Sequence, residues 1–344
     1  DNDPCPQLVT DPSSPRPKRR ASGHDASLEE AESCWATLAS GFARSNPTRS
    51  PAEVELDARQ ALQTLVFLQM CGQRRLLARD GLAALATDRT ADRRLGRRLR
   101  SAEQRLGPGL FHVEPRGTPR RAGRADPADL QIDEETLLDV VSRLSTPGSA
   151  LERAGRAVEL LGTMHEHLLG RRLCRGRAGR FRVERDAQAK KQGGVFYTPA
   201  YVTQYIVTNS IGPRLEALGP DAMGRLELEI LDPACGCGAF LLAACRHLLR
   251  WSSEHGGPGA AQLVARRVHG VDLDREAVLA ARRSLWLEMM AGHHRRGDRG
   301  NGSGTRLDAR KLADHLAENI RCGDMLPGPA AWQPPGRFDA GGGN

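Results

Sequence analysis

Lysine is nearly absent from this 344-residue chain, occurring only at Lys18, Lys190, Lys191 and Lys311. Its positive charge is therefore almost all arginine, and the formal net charge is +8. That balance favours an anionic partner, nucleic acid being the usual one, although base composition of the coding DNA can produce the same arginine skew. No apolar run approaches the roughly 20 residues of a membrane span, so no membrane contact is expected. Residues 1–27 are polar, with Pro15, Arg16, Pro17 and Lys18 among them, and lack the apolar segment of a secretory signal. The eight cysteines show neither a disulfide framework nor zinc-ribbon spacing. Cys235-Gly236-Cys237 has no further His or Cys pair at ligand spacing, so no metal site is expected there. A reduced, cytoplasmic setting is the default for such a chain. No internal repeat is evident, nor any nuclease-type carboxylate–lysine cluster before Gly193.

What is present divides in two. Residues 1–27 read as a disordered tail of Pro, Ser and charge. A helix is predicted over Ser27–Ala43, with Ser27 as its cap. Another is predicted from Ser50-Pro51 to about Leu77, on the stripe Val54, Ala58, Ala61, Leu65 and Leu68. A Pro-bearing loop follows over 101–133. Helical periodicity returns at Glu134–Leu144 and at Leu151–Leu169. Residues 28–185 thus predict an all-α N-terminal domain with no evident chemistry of its own.

After Gly193 the pattern changes. Thr198-Pro199 predicts a helix start, with Thr198 as cap. A strand over Leu226–Leu231 leads through a Gly-rich turn into a helix over Phe240–Trp251. A second strand, Val268–Val271, ends in Asp272 and feeds a helix over Arg275–Met290. A third strand, Asn319–Arg321, precedes Gly323-Asp324. This alternation predicts a parallel, doubly wound α/β sheet over residues 186–344.

Candidate chemistry sits at the strand ends. In Asp232-Pro233-Ala234-Cys235-Gly236-Cys237-Gly238-Ala239-Phe240, a strand enters a turn whose glycines let the backbone approach a ligand closely. The turn lacks both the longer dinucleotide fingerprint and the Lys-Ser/Thr of a phosphate loop. Asp232 can hold an ammonium group. Asp272 can accept from both hydroxyls of a ribose, with Asp274 competing for the role. Asp324 can accept from the exocyclic amine of an adenine. Upstream, Gly193-Gly194-Val195-Phe196-Tyr197-Thr198-Pro199 opens a helix whose free N–H groups suit a carboxylate. Together these groups would clamp a zwitterionic amino acid joined to an adenosine.

These segments resemble the adenine-N6 DNA methyltransferases. Phe196-Tyr197-Thr198-Pro199 is similar to their motif X, and Asp232–Phe240 to their motif I, with Cys237 where Ser is common. Gly270-Val271-Asp272-Leu273-Asp274 resembles motif II, and Asn319–Asp324 the motif III region. Motif X ahead of motif I marks the gamma arrangement, found in type I modification subunits, type IIG fused enzymes and phage-defence methylases. Helical segments around Leu65 and around Leu161–Leu169 are also similar to the type IIG-like group, with His165 where Tyr is common. The resemblance implies a Rossmann-like class I methyltransferase sheet binding S-adenosyl-L-methionine through Tyr197, Thr198, Pro199, Asp232, Pro233, Ala234, Gly236, Gly238, Phe240, Asp272, Leu273, Asp324 and Met325. It implies double-stranded DNA as partner of the full-length protein, with a specificity or nuclease subunit as a further candidate.

The resemblance breaks off at motif IV. Arg337-Phe338-Asp339-Ala340 matches the usual start of the fourth strand, but Gly341-Gly342-Gly343-Asn344 follows, and the Pro-Pro-aromatic of that motif is missing. Asn344 stands at the catalytic Asn position without the second amine acceptor or the face that stacks on a flipped base. The expectation is an incomplete sheet and a fragment that binds cofactor but does not methylate DNA alone. Its fourth strand would be an unprotected edge, giving poor solubility. Two other readings stay open: an RNA or protein methyltransferase, and a non-catalytic cofactor-binding interaction subunit.

Overall fold

The structure, a computed structural model, describes residues 23–77, 82, 91–113, 132–176, 180–186, 198–219, 228–255, 260–297, 308–325 and 340–341. Helix α1, Gly23–Ser45, starts earlier than predicted. Its buried stripe of Leu28, Ala31, Trp35, Leu38 and Phe42 draws the preceding turn into the fold, so Ser27 is buried within the helix and does not cap it. The last residues of the predicted tail are therefore helical; the remainder, 1–22, lies outside the described residues. Helix α2, Pro51–Gln73, opens as expected. The Ser50 hydroxyl accepts from the Glu53 N–H at 3.3 Å, and the Glu53 carboxylate accepts from the Ser50 N–H at 2.8 Å, a reciprocal capping box.

Helix α3, Ala91–Leu106, and a 3-10 turn at Pro108–Leu110 occupy part of the stretch read as loop. Helix α4, Glu134–Ser145, is capped by Asp133. The predicted helix over Leu151–Leu169 is broken into α5, Ala150–Ala154, and α6, Leu160–Leu169. The Arg74 guanidinium donates to the carbonyls of Gly155 and Arg156 at 2.9 and 2.8 Å, bonds that hold the intervening turn open. The region expected to be wholly helical also contains an antiparallel hairpin, β1 Arg171–Arg175 with β2 Phe181–Arg185. Short alternation of Leu173, Val183 and Phe181 among arginines gives it one apolar face.

Helix α7, Ala200–Leu218, begins one residue later than expected. Its N-cap is Pro199, with no side-chain capping bond, so neither Thr198 as cap nor Pro199 inside the first turn holds. Proline brings the extended backbone that a cap position needs, and Thr198 is left ahead of the helix. Strand β3, Ile230–Asp232, leads into α8, Ala239–Glu254, and α9, Ala260–Arg267. Strand β4, Val268–Asp272, leads into α10, Arg275–Gly297. Helix α11, Ala309–Asn319, runs into β5, Ile320–Cys322, and β6 is Ala340–Gly341.

Strands β3 to β6 form a parallel four-stranded sheet in the order β5-β4-β3-β6. The chain moves outward from β3 through β4 to β5, then returns to pair β6 on the other side of β3. The order therefore reverses beside β3, the place where open α/β sheets form a crevice at the carboxyl ends of their strands.

One continuous apolar core runs from α1 through the sheet helices. Phe67 of α2 packs edge-on against Phe111 and Trp286, ring centroids 6.0 Å apart in each pair. Burying side chains of this size contributes about 1.5–3 kcal/mol each. Two buried arginines on α10 fasten the joint. Arg282 donates to the carbonyls of Gly109, His112, Ala317 and Ile320. Arg283 donates to Leu110 O at 2.8 Å and Thr64 Oγ1 at 3.0 Å, with its guanidinium 5.0 Å from the Phe67 ring centroid. Among the described residues, no helix is long and apolar enough to cross a membrane.

Candidate functional site

The site is built where three parallel strands end. Register pairs Asp232 with Gly270 and Asp272 with Cys322, so the carboxyl ends of β3, β4 and β5 lie side by side. Asp324 stands two residues past β5 and is exposed. The sheet therefore places Asp232, Asp272 and Asp324 along one rim.

Between β3 and α8 the chain turns through residues 233–238. Gly236 and Gly238 take φ values of 49° and 81°, a region that costs L-residues with a Cβ roughly 1–2 kcal/mol. At Gly238 space is also short, because a Cβ would sit 2.9 Å from the Cβ of Ala281 on α10. At Gly236 nothing lies within 4 Å of that position, so its backbone faces open space. The loop is pinned to β4 by the Cys235 N–H, which donates to Val271 O at 2.9 Å. The Gly236 N–H donates to Asp272 Oδ2 at 2.8 Å. The other oxygen of Asp272 accepts from the Asp274 N–H at 2.8 Å, and its carbonyl accepts from the Gly323 N–H at 2.9 Å. Asp272 thus knits the β3, β4 and β5 loops together.

Asp232 is different. It is 4% exposed and accepts from the Ala234 N–H at 3.2 Å. Burial, together with the neighbouring charge of Asp272, pushes its carboxyl up to about 7. A buried acid with an anionic neighbour is set to receive a cation. The thiols of Cys235 and Cys237 are raised well above their ordinary range, chiefly by burial. That shift favours the thiol over the thiolate at both.

Asp274 is held on its other side by the helical layer. His165 Nε2 lies 2.9 Å from Asp274 Oδ2, and His165 Nδ1 lies 3.0 Å from Gln63 Nε2. The Gln63 amide can only donate at Nε2, so Nδ1 accepts and the Nε2 proton points at Asp274. Burial tends to raise the Asp274 carboxyl, but the hydrogen bond from His165 and the N–H groups of Glu276 and Ala277 outweigh it and bring it down to about 2. Composition and periodicity give no signal for Gln63 or for this relay; only the pair of acids in Asp272-Leu273-Asp274 marks one end of it.

A cavity of about 260 Å³ opens beside the loop, lined by Gly162, Glu166, Thr198, Ala200, Cys237 and Ala239 among others. Thr198 therefore shares a cavity wall with the glycine loop. Asp232 and Asp272 do not line this cavity, whose walls come largely from the helices around Thr198 and Cys237. Of the remaining expected contacts, Pro233 and Ala234 are exposed in the turn, Pro199 and Met325 are partly buried, and Leu273 is 73% exposed beside Asp272. Phe240 is 9% exposed and packs in the core. Tyr197 and Asn344 lie outside the described residues.

Residues 181–304 match the family described as N-6 DNA Methylase. The chain is 30% identical over 166 residues to the adenine-specific methyltransferase PglX of Streptomyces coelicolor, a match covering 47% of this chain and 12% of that protein. It is 29% identical over 136 residues to the type I restriction enzyme EcoEI methylase subunit of Escherichia coli, covering 39% of this chain and 21% of that subunit. The chain thus matches only a small part of the length of either relative. Among solved structures, the type IIL restriction–modification enzyme MmeI, determined in complex with DNA, shares the fold at a TM-score of 0.50 and 15% identity, over 82% of this chain and 38% of that one. The segment of this chain that matches the N-6 DNA methylase family runs from β2 through the glycine loop and the Asp272 strand end.

Proposed function

We propose that this chain forms the S-adenosyl-L-methionine-binding part of a DNA adenine-N6 methyltransferase of restriction–modification or phage-defence type, on a Rossmann-like methyltransferase sheet (186–344) backed by a mainly helical layer (28–185). One observation carries the reading. A buried carboxyl (Asp232), a glycine loop with left-handed backbone and a second carboxylate (Asp272) meet at the point where strand order reverses.

The donor set suits that cofactor. Asp232 gains a cationic partner when an ammonium group docks, which relieves the cost of burying its charge. Asp272, already oriented by two N–H groups, retains lone pairs for ribose hydroxyls. Asp324 accepts from the adenine amine, and the apolar faces of Leu273 and Met325 flank the ring. Thr198 and Pro199 close the amino-acid end next to Cys237. S-adenosyl-L-methionine supplies an electrophilic methyl on sulfur; the residues named here bind and orient it, and positioning is the main protein contribution to such a transfer. Duplex DNA is the proposed macromolecular substrate, and Asn344 is the proposed amine acceptor.

Isothermal titration of the 344-residue chain with S-adenosyl-L-methionine and S-adenosyl-L-homocysteine tests this. Saturable binding that weakens at least tenfold in D232A and D272A is expected. A chain that takes up neither ligand at millimolar concentration defeats the reading.

A further inference from the structure

The hairpin β1–β2 concentrates positive charge outside the strand-end loops. Residues 171–186 hold seven arginines against Glu184 and Asp186. Its register pairs Arg172 with Glu184 and Cys174 with Arg182, so these four side chains share a face. The opposite face is the anchored one. Phe181 is buried, its N–H donates to Ser40 Oγ at 3.0 Å, and Leu173 and Val183 pack on the core. Arg171 is engaged by Glu32 at 2.6 Å.

The outward face has too little negative charge. Arg172 and Arg182 are 60% and 72% exposed, and both lean on one carboxylate, Glu184, at 3.7 and 2.7 Å. Arg180 and Arg175 flank the turn and are exposed; Arg175 pairs in register with Phe181, at the turn end of the anchored face, and neither pairs with a carboxylate among the described residues. Exposed ion pairs contribute little to stability, and crowded like charges oppose it. The ribbon therefore keeps a repulsion that an external polyanion would relieve.

We infer that the outer face of the β1–β2 hairpin is a contact for the phosphate backbone of double-stranded DNA. A two-stranded ribbon has the width that a major groove admits, and arginine forks match phosphate oxygens two at a time. Such contacts fix position on the duplex without reading its sequence. The inference rests on the proposed function in naming duplex DNA as the anion.

The test is fluorescence anisotropy of a labelled duplex with the whole 344-residue chain over a range of salt concentrations. The parent is compared with R172Q/R175Q/R180Q/R182Q. Each lost phosphate contact removes about 0.9 from the slope of log affinity against log salt. The quadruple variant should lose about 2–4 from that slope and bind at least roughly tenfold more weakly. The pair R175Q/R180Q, two exposed residues at the turn end of the ribbon, should lose about half as much and covers the case in which the quadruple variant does not fold. A control with R105Q/R153Q/R156Q/R214Q should keep the parent slope. Equal losses in control and hairpin variants, unchanged slopes in the hairpin variants, or no duplex binding by the parent at low salt each overturn the inference. S-adenosyl-L-methionine titration separates the two ideas. A parent that binds cofactor but shows no hairpin dependence keeps the proposed function and loses the inference; the converse result does the reverse.

Discussion

His165 Nε2 lies 2.9 Å from Asp274 Oδ2, and this bond joins helix α6 to the loop that carries Asp272. His165 is 1% exposed and its other ring nitrogen faces Gln63 of α2. Truncation in H165A should leave the buried Gln63 amide without its partner, at a cost of about 1–3 kcal/mol. Urea unfolding measures that cost. Cofactor affinity should fall more than the stability loss alone explains, because the Asp272–Asp274 turn loses its brace. H165Q, which keeps a donor, should recover part of the affinity; equal affinity in H165A and the parent would show that the brace does not reach the site.

Asp232 and Asp274 give opposite acid–base signatures. The folded-state carboxyl of Asp232 is raised from 3.8 to about 7, so the native state holds a proton that the unfolded chain has released. Its contribution falls as pH rises from about 4 to about 7 and is flat above that. Asp274 is lowered from 3.8 to about 2, so its stabilisation is present above about pH 4 and is lost as pH falls through about 2. In D232N the decline between pH 4 and 7 should disappear, with a gain on the order of 1–3 kcal/mol at pH 8. Thermal melts across pH check this, and an unaltered profile in D232N would contradict it.

On the proposed function, the same carboxyl should tie cofactor binding to protons. A docked ammonium group favours ionised Asp232, so binding at pH 6 should release a proton. Titration in two buffers of different ionisation enthalpy should give different apparent heats, and D232N should abolish the difference. Identical heats in both buffers with the parent chain would exclude Asp232 as the ammonium partner.

The two loop glycines should separate strain from access. G238A meets both a left-handed φ and the Ala281 Cβ at 2.9 Å, and should lose about 2–4 kcal/mol of stability. G236A has open space, so its stability loss should stay near about 1 kcal/mol. Its added methyl would enter the open space that the proposed cofactor fills, so cofactor affinity should drop at least as far as in G238A. Denaturant midpoints read beside titration isotherms decide the matter.

Arg282 should prove costly to remove. Four carbonyls, those of Gly109, His112, Ala317 and Ile320, accept from it, and R282A strands them in a buried place. A loss of at least about 3 kcal/mol is expected by chemical denaturation. The lesion should also loosen β5, and with it Asp324.

Much of the sheet is legible in the chain itself. The strand-ending acids Asp232 and Asp272 and the paired glycines mark the turn through their order and spacing together, since a glycine pair after an apolar strand is a weak signal alone. Thr198 does not become the cap because Thr-Pro suits a helix start equally well one residue earlier or later; proline takes the cap position. Hairpin β1–β2 leaves only a weak trace, its alternation being diluted by arginines whose alkyl stems cover apolar surface. The Gln63–His165–Asp274 relay joins residues 102 and 109 positions apart, and no local pattern encodes a contact at that range.

The seam between α2 and α10 has a practical corollary for anyone dissecting this protein. Thr64 and Phe67 on one side and Arg283 and Trp286 on the other make a dry joint with no solvent-facing substitute. Cut between residues 186 and 198, the chain yields two pieces that each carry half of that joint as a raw, sticky wound. Neither half is a handy minimal piece for crystallisation or screening, whereas co-produced halves should find each other and reassemble.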